Sequence, residues 1–304
     1  MADPYLQPNG TLKNKLDITS AQHLQDAETD YSRNRSYDIG QNGPKGAFDF
    51  ERLKATHHHL FQDVYDWAGQ ARTVNLFKAQ SGDVRAPLSR FDDAVVIQRN
   101  AADLFGRLKA ENNLRGLSRE AFAGKAADYF CEVNKLHPFR EGNGRTQRAF
   151  FEALAEQAGH KLDFRGVTRE RMVQASIEAH GGKPDMMHRI FDEASTPNRA
   201  AALHHAVMKL DSLGFARTDE TYITTAQPGL RQGGVFVGRD DKTFLIHTGK
   251  AIVVGDPADL KGSPKNSDRV EFSASSQFKG FAPAAPARSL PKPGGDDHEL
   301  ERER

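Results

Sequence analysis

Residues 137 to 148 read His137-Pro138-Phe139-Arg140-Glu141-Gly142-Asn143-Gly144-Arg145-Thr146-Gln147-Arg148, and the pattern on either side of them decides the fold. Upstream, Phe122, Ala126, Phe130 and Val133 recur at helical spacing after the cap candidate Ser118. Pro138 forbids a helical His137, so that helix ends there. Downstream, Ala149, Phe150, Ala153 and Leu154 follow Gly144 without a breaker toward Gly159, a C-cap candidate, so a second helix begins. A Gly-Asn-Gly turn feeding a helix presents backbone N–H groups at a positive helix end, where a phosphate is stabilised without a side chain. Arg145 in the first turn and Arg148 three residues on reach the same end, and two arginines suit a triphosphate. Glu141 offers a hard oxygen beside them, and Mg2+ is commonly held by one or two carboxylates plus the phosphates themselves. His137, with an ordinary pKa near ~6.5, is the candidate general base for an incoming hydroxyl. It is expected at the surface of the site. The structural alternative is a helix break, a turn and two solvated arginines, but a simple turn does not require the acid, the histidine and both arginines together.

Working outward, residues 19 to 210 read as helices joined by short Gly/Pro/Asn-rich breaks. Phe50, Leu53, His57, Leu60, Val64 and Trp67 are spaced to bury one face, as are Ile97, Ala101, Leu104 and Leu108. The exception is a β-leaning run, Thr73 to Lys78, followed by Gln80-Ser81-Gly82-Asp83 and Val84-Arg85-Ala86-Pro87, which predicts a hairpin with Pro87 at its edge. After residue 218 the period changes. Thr221–Thr224, Gly234–Val237, Thr243–Ile246, Ala251–Val254 and Arg269–Phe272 predict five short strands, enough for a small OB-like barrel. The expected fold is therefore a mostly α domain with a β-hairpin (1–200), a connecting helix or linker (201–217), a small all-β OB-like domain (218–282) and a disordered tail (283–304) rich in Ala, Pro, Gly and charge.

Composition narrows the class. The chain has 304 residues, 38% hydrophobic, with 19 Phe and one Trp, which suffices for a packed core. Its 42 basic and 41 acidic side chains leave a formal charge of +1, so no long-range field favours nucleic acid or an anionic membrane. A lone Cys131 in a helical pattern is expected as a small core residue in a reducing compartment. Met1-Ala2-Asp3-Pro4 opens no apolar run, so neither a Sec signal nor a membrane span is expected, and the protein is placed in cytoplasm, its own or one into which it is translocated.

The 137–148 segment matches the signature H-P-F-x-[D/E]-G-N-G-R-x-x-R of the Fic family at every specified position, a far more specific match than a lone Gly-rich loop. Tyr5 to Glu28 and Phe48 to Thr73 also look like the helices that precede a Fic core, so the resemblance covers about residues 5 to 195. It implies protein adenylyl transfer. His137 would deprotonate a Ser, Thr or Tyr of a target, which attacks the α-phosphate of ATP and releases pyrophosphate. Glu141 would hold Mg2+ between the α- and β-phosphates. Asn143 and the amides of Gly142 and Gly144 would bind those phosphates with help from Arg145, while Arg148 reaches the γ-phosphate. Relatives that phosphorylate carry Lys in the slot of Gly144. The hairpin matches the family's flap, an edge on which a target segment adds as a strand; Val74, Asn75, Leu76, Phe77, Lys78, Asp83, Val84 and Arg85 are its docking residues. A phosphate-transferring relative and an inert binding module are the alternative functions.

Fic enzymes are commonly restrained by a glutamate in an [S/T]-x-x-x-E-[G/N] helix that pairs with the second motif arginine. Only Ser267 to Glu271 has that spacing, but Phe272 follows and the stretch is expected as a strand. The restraining glutamate is therefore expected on a separate small antitoxin. A Fic core followed by an OB-like module resembles effectors of conjugation-related type IV secretion systems and related toxins, although no helical secretion-signal domain is legible after residue 283. A bacterial topoisomerase or a host small GTPase are the target candidates. Phe236, Phe244 and scattered basic residues of the β module are expected to pack, with no nucleic-acid partner. His57-His58-His59 and His204-His205 are consecutive and diverge on a helix, so no shared metal is expected.

Overall fold

Caps written into the sequence start four of the helices. Ser20, Asp49, Ser118 and Thr168 each accept, through a side-chain oxygen, the N–H of the residue three further on, satisfying a donor the helix leaves open. The structure, a computed structural model, describes residues 3–79, 88–215, 221–275 and 277–281. These form α1 (Ala21–Asn42), α2 (Phe50–Phe61), β1 (Phe77–Ala79), β2 (Leu88–Arg90), α3 (Ile97–Ala110), α4 (Arg119–Leu136), α5 (Asn143–Gln157), α6 (Arg169–His180), α7 (Asp185–Ser195), α8 (Pro197–Ser212), β3 (Tyr222–Thr225), β4 (Arg231–Arg239), β5 (Phe244–His247), β6 (Ala251–Gly255) and β7 (Arg269–Ser273). None of these helices is long and apolar enough to cross a membrane.

Helix α4 is the axis of the helical part. It buries Phe122, Ala123, Ala126, Ala127, Tyr129, Phe130, Val133 and Leu136, which lie around more than one face, so it is wrapped by α3, α5, α6 and α7. Phe130 meets Phe151 and Phe191 edge-on at 5.3 Å each, and Phe150 meets Phe48 and Phe105 at 5.3 and 5.6 Å. The lone Cys131 is half-buried on this helix and reduced, and burial pushes its thiol up to about 12.

Several sequence expectations shift. The α2 pattern was expected to run on to Trp67, yet the helix stops at Phe61 because the chain folds back and the Gly69 N–H donates to His57 Nδ1 at 2.8 Å; Val64 and Trp67 are buried all the same. Helix α5 starts at Asn143, one residue before Gly144. The β-leaning run from Thr73 pairs only from Phe77, since the Val74 carbonyl accepts from Arg72 and Asn75 Oδ1 accepts the Ala94 N–H at 2.8 Å. Strand β1 pairs antiparallel with β2, Phe77 opposite Arg90. Asp83, Val84, Arg85 and the 283–304 tail lie outside the described residues.

All five strands expected after residue 218 are present, in one sheet ordered β3-β6-β5-β4-β7, with β3 parallel to β6 and the other ladders antiparallel. The first half of β4 pairs with β7 and the second with β5, with a register shift between Phe236 and Gly238 that bends the strand. The segment expected to connect the parts is helix α8, which starts earlier, at Pro197. It sends Ala202, Leu203, Ala206 and Leu210 into the same core as Ile223, Leu245, Ile252, Val254 and Phe278 of the sheet region.

A buried charge network reinforces that junction. Glu193 on α7 is fully buried and pairs with Arg171 of α6. Its other oxygen accepts from the Thr225 N–H at 3.0 Å and from the Thr224 and Thr225 hydroxyls at 2.8 and 2.9 Å. Burial alone would raise this carboxyl, but Arg171, Arg199 and Arg189 outweigh it and hold it at about 2. Removing one partner of such a group strands the others without compensation. Glu193→Ala is therefore expected to lower the unfolding free energy by about 3–5 kcal/mol, measured by urea denaturation.

Candidate active site

Because Pro138 excludes the right-handed helical conformation from the residue before it, His137 turns into the left-handed region (φ 44°, ψ 60°) while its N–H still closes α4 on the Val133 carbonyl at 3.0 Å. This swings the imidazole off the helix onto Phe91, with ring centroids 3.8 Å apart. Nδ1 lies 3.3 Å from the Asn134 carbonyl, an acceptor only, so Nδ1 carries the proton and Nε2 keeps its lone pair. Contrary to the expectation of a surface position, His137 is buried, with 6% of its area exposed. Burial, followed by the positive charge of Lys78, lowers its pKa well below the ordinary value, so the ring is neutral at physiological pH.

The turn that follows is held from inside. Asn143 uses both ends of its carboxamide on Phe139: Oδ1 accepts the Phe139 N–H at 3.0 Å and Nδ2 donates to its carbonyl at 2.7 Å. Gly142 adopts φ 81°, and a Cβ there would meet the Phe61 ring at 2.5 Å, so both conformation and space demand glycine. At Gly144, which is exposed, a Cβ would meet nothing within 4 Å. The start of α5 has no side-chain cap, and among the described residues the amides of Asn143, Gly144 and Arg145 find no acceptor. The Glu141 carboxylate turns onto the Gly142 N–H at 2.9 Å, at the edge of this nest of donors. No group of three or more His, Cys, Asp or Glu that could hold a metal occurs among the described residues, so an ion at Glu141 would need other oxygens to complete its shell.

The two arginines are placed differently. Arg145 bonds Ser32 Oγ at 2.8 Å, pairs with the buried Glu28 of α1 and lies over the Phe61 ring at 4.8 Å. Glu28 also accepts from the Tyr65 hydroxyl, whose pKa is raised by burial and by that carboxylate. Arg148 has no hydrogen-bond or ion-pair partner among the described residues, and burial lowers its pKa. One turn on, burial pushes Glu152 up to about 7. Arg140, the unspecified position of the motif, pairs with Asp3 at 2.9 Å. Of the flap residues, Phe77 and Lys78 lie on or within β1, both exposed, while Val74, Asn75 and Leu76 lead into it. Glu271 is on strand β7 and pairs with Arg231.

The supporting roles of two residues escaped the sequence reading. The sequence places His57 on the buried face of its helix and discounts it as a metal ligand, with no role at the turn assigned to it. In the structure it is fully buried, with Nδ1 accepting from Gly69 and Nε2 3.0 Å from the Glu141 carbonyl, to which it donates, and its ring stacks on Phe139 at 4.0 Å. The signal was its place on the apolar face with Leu53 and Leu60. Arg72 fell in a run quoted only for its resemblance, yet it is buried and donates to the His137 carbonyl at 2.8 Å.

Residues 47–155 match the Fic/DOC family model. The chain is 39% identical over 190 residues, 62% of its length, to the protein adenylyltransferase VbhT of Bartonella schoenbuchensis. It is 37% identical over 198 residues to a probable protein adenylyltransferase Fic of Salmonella typhimurium, covering 65% of this chain and 94% of that one. The solved structure of the type IV secretion system effector protein BepA superposes with a TM-score of 0.79 at 30% identity, covering 89% of this chain and 95% of that one. BepC of Bartonella tribocorum, solved with bound AMPPNP, superposes with a TM-score of 0.57 at 32% identity, covering 62% and 95%. The chain belongs to the Fic/DOC family. It spans 38% of the length of VbhT and 52% of that of a protein adenylyltransferase of Bartonella henselae.

The two buried histidines bear on stability. Burial lowers His57 to about 3 and His137 well below its ordinary value. Both contribute fully above about pH 6.5, and the contribution is lost as pH falls, because the unfolded imidazole takes a proton the folded one refuses. Unfolding free energy is expected to fall by about 1.4 kcal/mol per pH unit per histidine below that point, and urea titrations of His57→Phe should show a shallower dependence.

Proposed function

We propose that the protein transfers AMP from ATP to a hydroxyl side chain of a target protein. The observation that carries this reading is the convergence, at one helix junction, of a neutral imidazole whose Nε2 has no partner among the described residues, the Glu141 carboxylate, and three amides uncapped among those residues. The target hydroxyl gives its proton to Nε2 of His137 as its oxygen bonds the α-phosphorus. The bond to the bridging oxygen breaks, and its electron pair leaves with pyrophosphate. The open amides from Asn143 to Arg145 receive the α- and β-phosphates, joined by that of Gly142 once Glu141 turns off it, and Asn143 contributes its main-chain amide, its carboxamide being engaged by Phe139. Arg145 adds its charge beside them, and Arg148, which makes no hydrogen bond or ion pair among the described residues, takes the γ-phosphate. Glu141 would hold Mg2+, which would neutralise phosphate charge as the pyrophosphate departs. Open space above Gly144 suits close approach of the phosphates. The resemblance to proteins called adenylyltransferases, and to BepC with its AMPPNP, supports the same substrate.

The β1–β2 edge is the docking strand for the target, with Phe77 and Lys78 on it, Val74 to Leu76 leading into it, and Asp83, Val84 and Arg85 assigned from sequence. The chain divides into a Fic domain and an OB-like module to about residue 282, with the expected connecting segment 201–217 replaced as a boundary by helix α8, which packs into both. The meander β4-β5-β6, extended by parallel β3 and antiparallel β7 around a bent β4, supports the OB-like part. A separate antitoxin supplies the restraining glutamate. Arg148 makes no ion pair among the described residues, although Glu152 one turn on favours its charge, and beside Arg145 and Glu152 a cavity of about 700 Å³ opens toward Arg33, Lys161 and Arg165. The relationship to BepA supports translocation through a type IV system. A topoisomerase or a small GTPase is the target assigned from sequence resemblance.

Parallel incubation of a lysate with α- and γ-labelled ATP tests the reaction. Label in protein from α-ATP alone is expected; γ-label alone identifies a phosphate transfer, and no label an inert module. His137→Ala should abolish labelling. Because the ring is buried against Phe91, this variant should also lose about 1–3 kcal/mol of stability, a cost a surface histidine would not show. The acid limb of the transfer rate should lie below pH 6.5, since a base with a lowered pKa stays unprotonated there.

A further inference from the structure

Arg72 is 2% exposed, and its hydrogen-bond partners are all main-chain carbonyls. Nε donates to His137 O at 2.8 Å and Nη2 to Leu136 O at 3.3 Å, the last carbonyls of α4, where a cation is favoured by the helix dipole. Nη1 donates to Val74 O at 2.7 Å, on the chain entering β1, and Nη2 also to Asp92 O, on the chain leaving β2. The Arg72 N–H adds a bond to Pro138 O at 2.8 Å, and the Asp92 N–H one to Lys135 O at 3.1 Å. One planar, rigid group thus holds both roots of the hairpin and the backbone of the imidazole-bearing residue at fixed separations. The phosphate end of the site is held by other groups: Asn143 on Phe139, Phe61 under Gly142, and His57 on Glu141.

We propose that Arg72 is the positioning residue that sets the height of the β1–β2 edge over His137, and so governs transfer to a protein acceptor without governing nucleotide binding. The inference rests on the adenylyl-transfer reading with the target laid along that edge. A displacement of about 1 Å between nucleophile and base costs on the order of 100-fold in rate, so small slack at the hairpin roots is enough. Lysine cannot replace the guanidinium, because a single ammonium does not span carbonyls on both sides of it.

The test compares the full chain with Arg72→Lys and Arg72→Gln, using three measurements: calorimetric Mg-ATP binding, α-label transfer into lysate proteins, and deuterium exchange. Expected are an ATP Kd within about twofold of wild type and a loss of about 10- to 100-fold in transfer. Exchange should quicken at 74–79 and 88–92 and stay unchanged at 143–148. Wild-type labelling with undiminished labelling and exchange in both variants overturns the role of Arg72 alone. A loss of ATP affinity as large as the loss of transfer overturns it too, since Arg72 would then act on the whole site. A wild-type chain that binds Mg-ATP but labels no protein overturns the adenylyl-transfer reading and this role with it.

Discussion

Two helix ends meet at one buried turn, and they cannot be treated alike. The carbonyl end of α4 is stoppered by the protein: His137 N–H closes its last turn and Arg72 takes the Leu136 and His137 oxygens. The amide end of α5 is left open, without a side-chain cap. A helix start normally recruits Ser, Asp or Thr for that purpose, as α1, α2, α4 and α6 do here. At α5 the one residue able to cap, Asn143, is turned inward onto Phe139. Donors unsatisfied within the fold are what a polyanion can satisfy, and the surrounding arginines and the aromatic floor of Phe61 and His57 hold that arrangement in place.

Local signals were legible where local physics decides. Ser118 as a cap, Pro138 as a stop and the five strands after residue 218 follow from neighbours in the chain, and the structure has them. The motif's place between two helices was equally legible. What could not be read was set by contacts between distant segments. The inward Asn143 depends on the path of Phe139, and the pairing of Arg145 with Glu28 depends on α1 lying 117 positions away. The spacing put His57 on a buried face, but only the return of Gly69 and the approach of Glu141 make it a strut under the turn. The burial of His137 follows likewise from Phe91, which a linear motif does not contain.

The sheet region is not an appendage on a tether. Helix α8, expected as a connector, is shared by both parts, and Phe278 from beyond β7 is fully buried in the same core as Phe130 and Phe151. Glu193 extends the join by binding the helical side through Arg171 and the sheet side through Thr224 and Thr225. Such a buried polar group costs desolvation whether or not it adds net stability, so its value here is geometric: it fixes how β3 meets α6, α7 and α8.

A grip made only on main-chain oxygens is blind to side-chain identity. Every residue has a carbonyl, so Arg72's hold does not itself constrain which side chains stand at positions 74, 92 and 136. The edge strands are thereby released from any duty to keep themselves in place. On the proposed reading of that edge as the place a target docks, lineages carrying this scaffold could rewrite it letter by letter, acquiring new quarry, while the chemistry underneath stays in register.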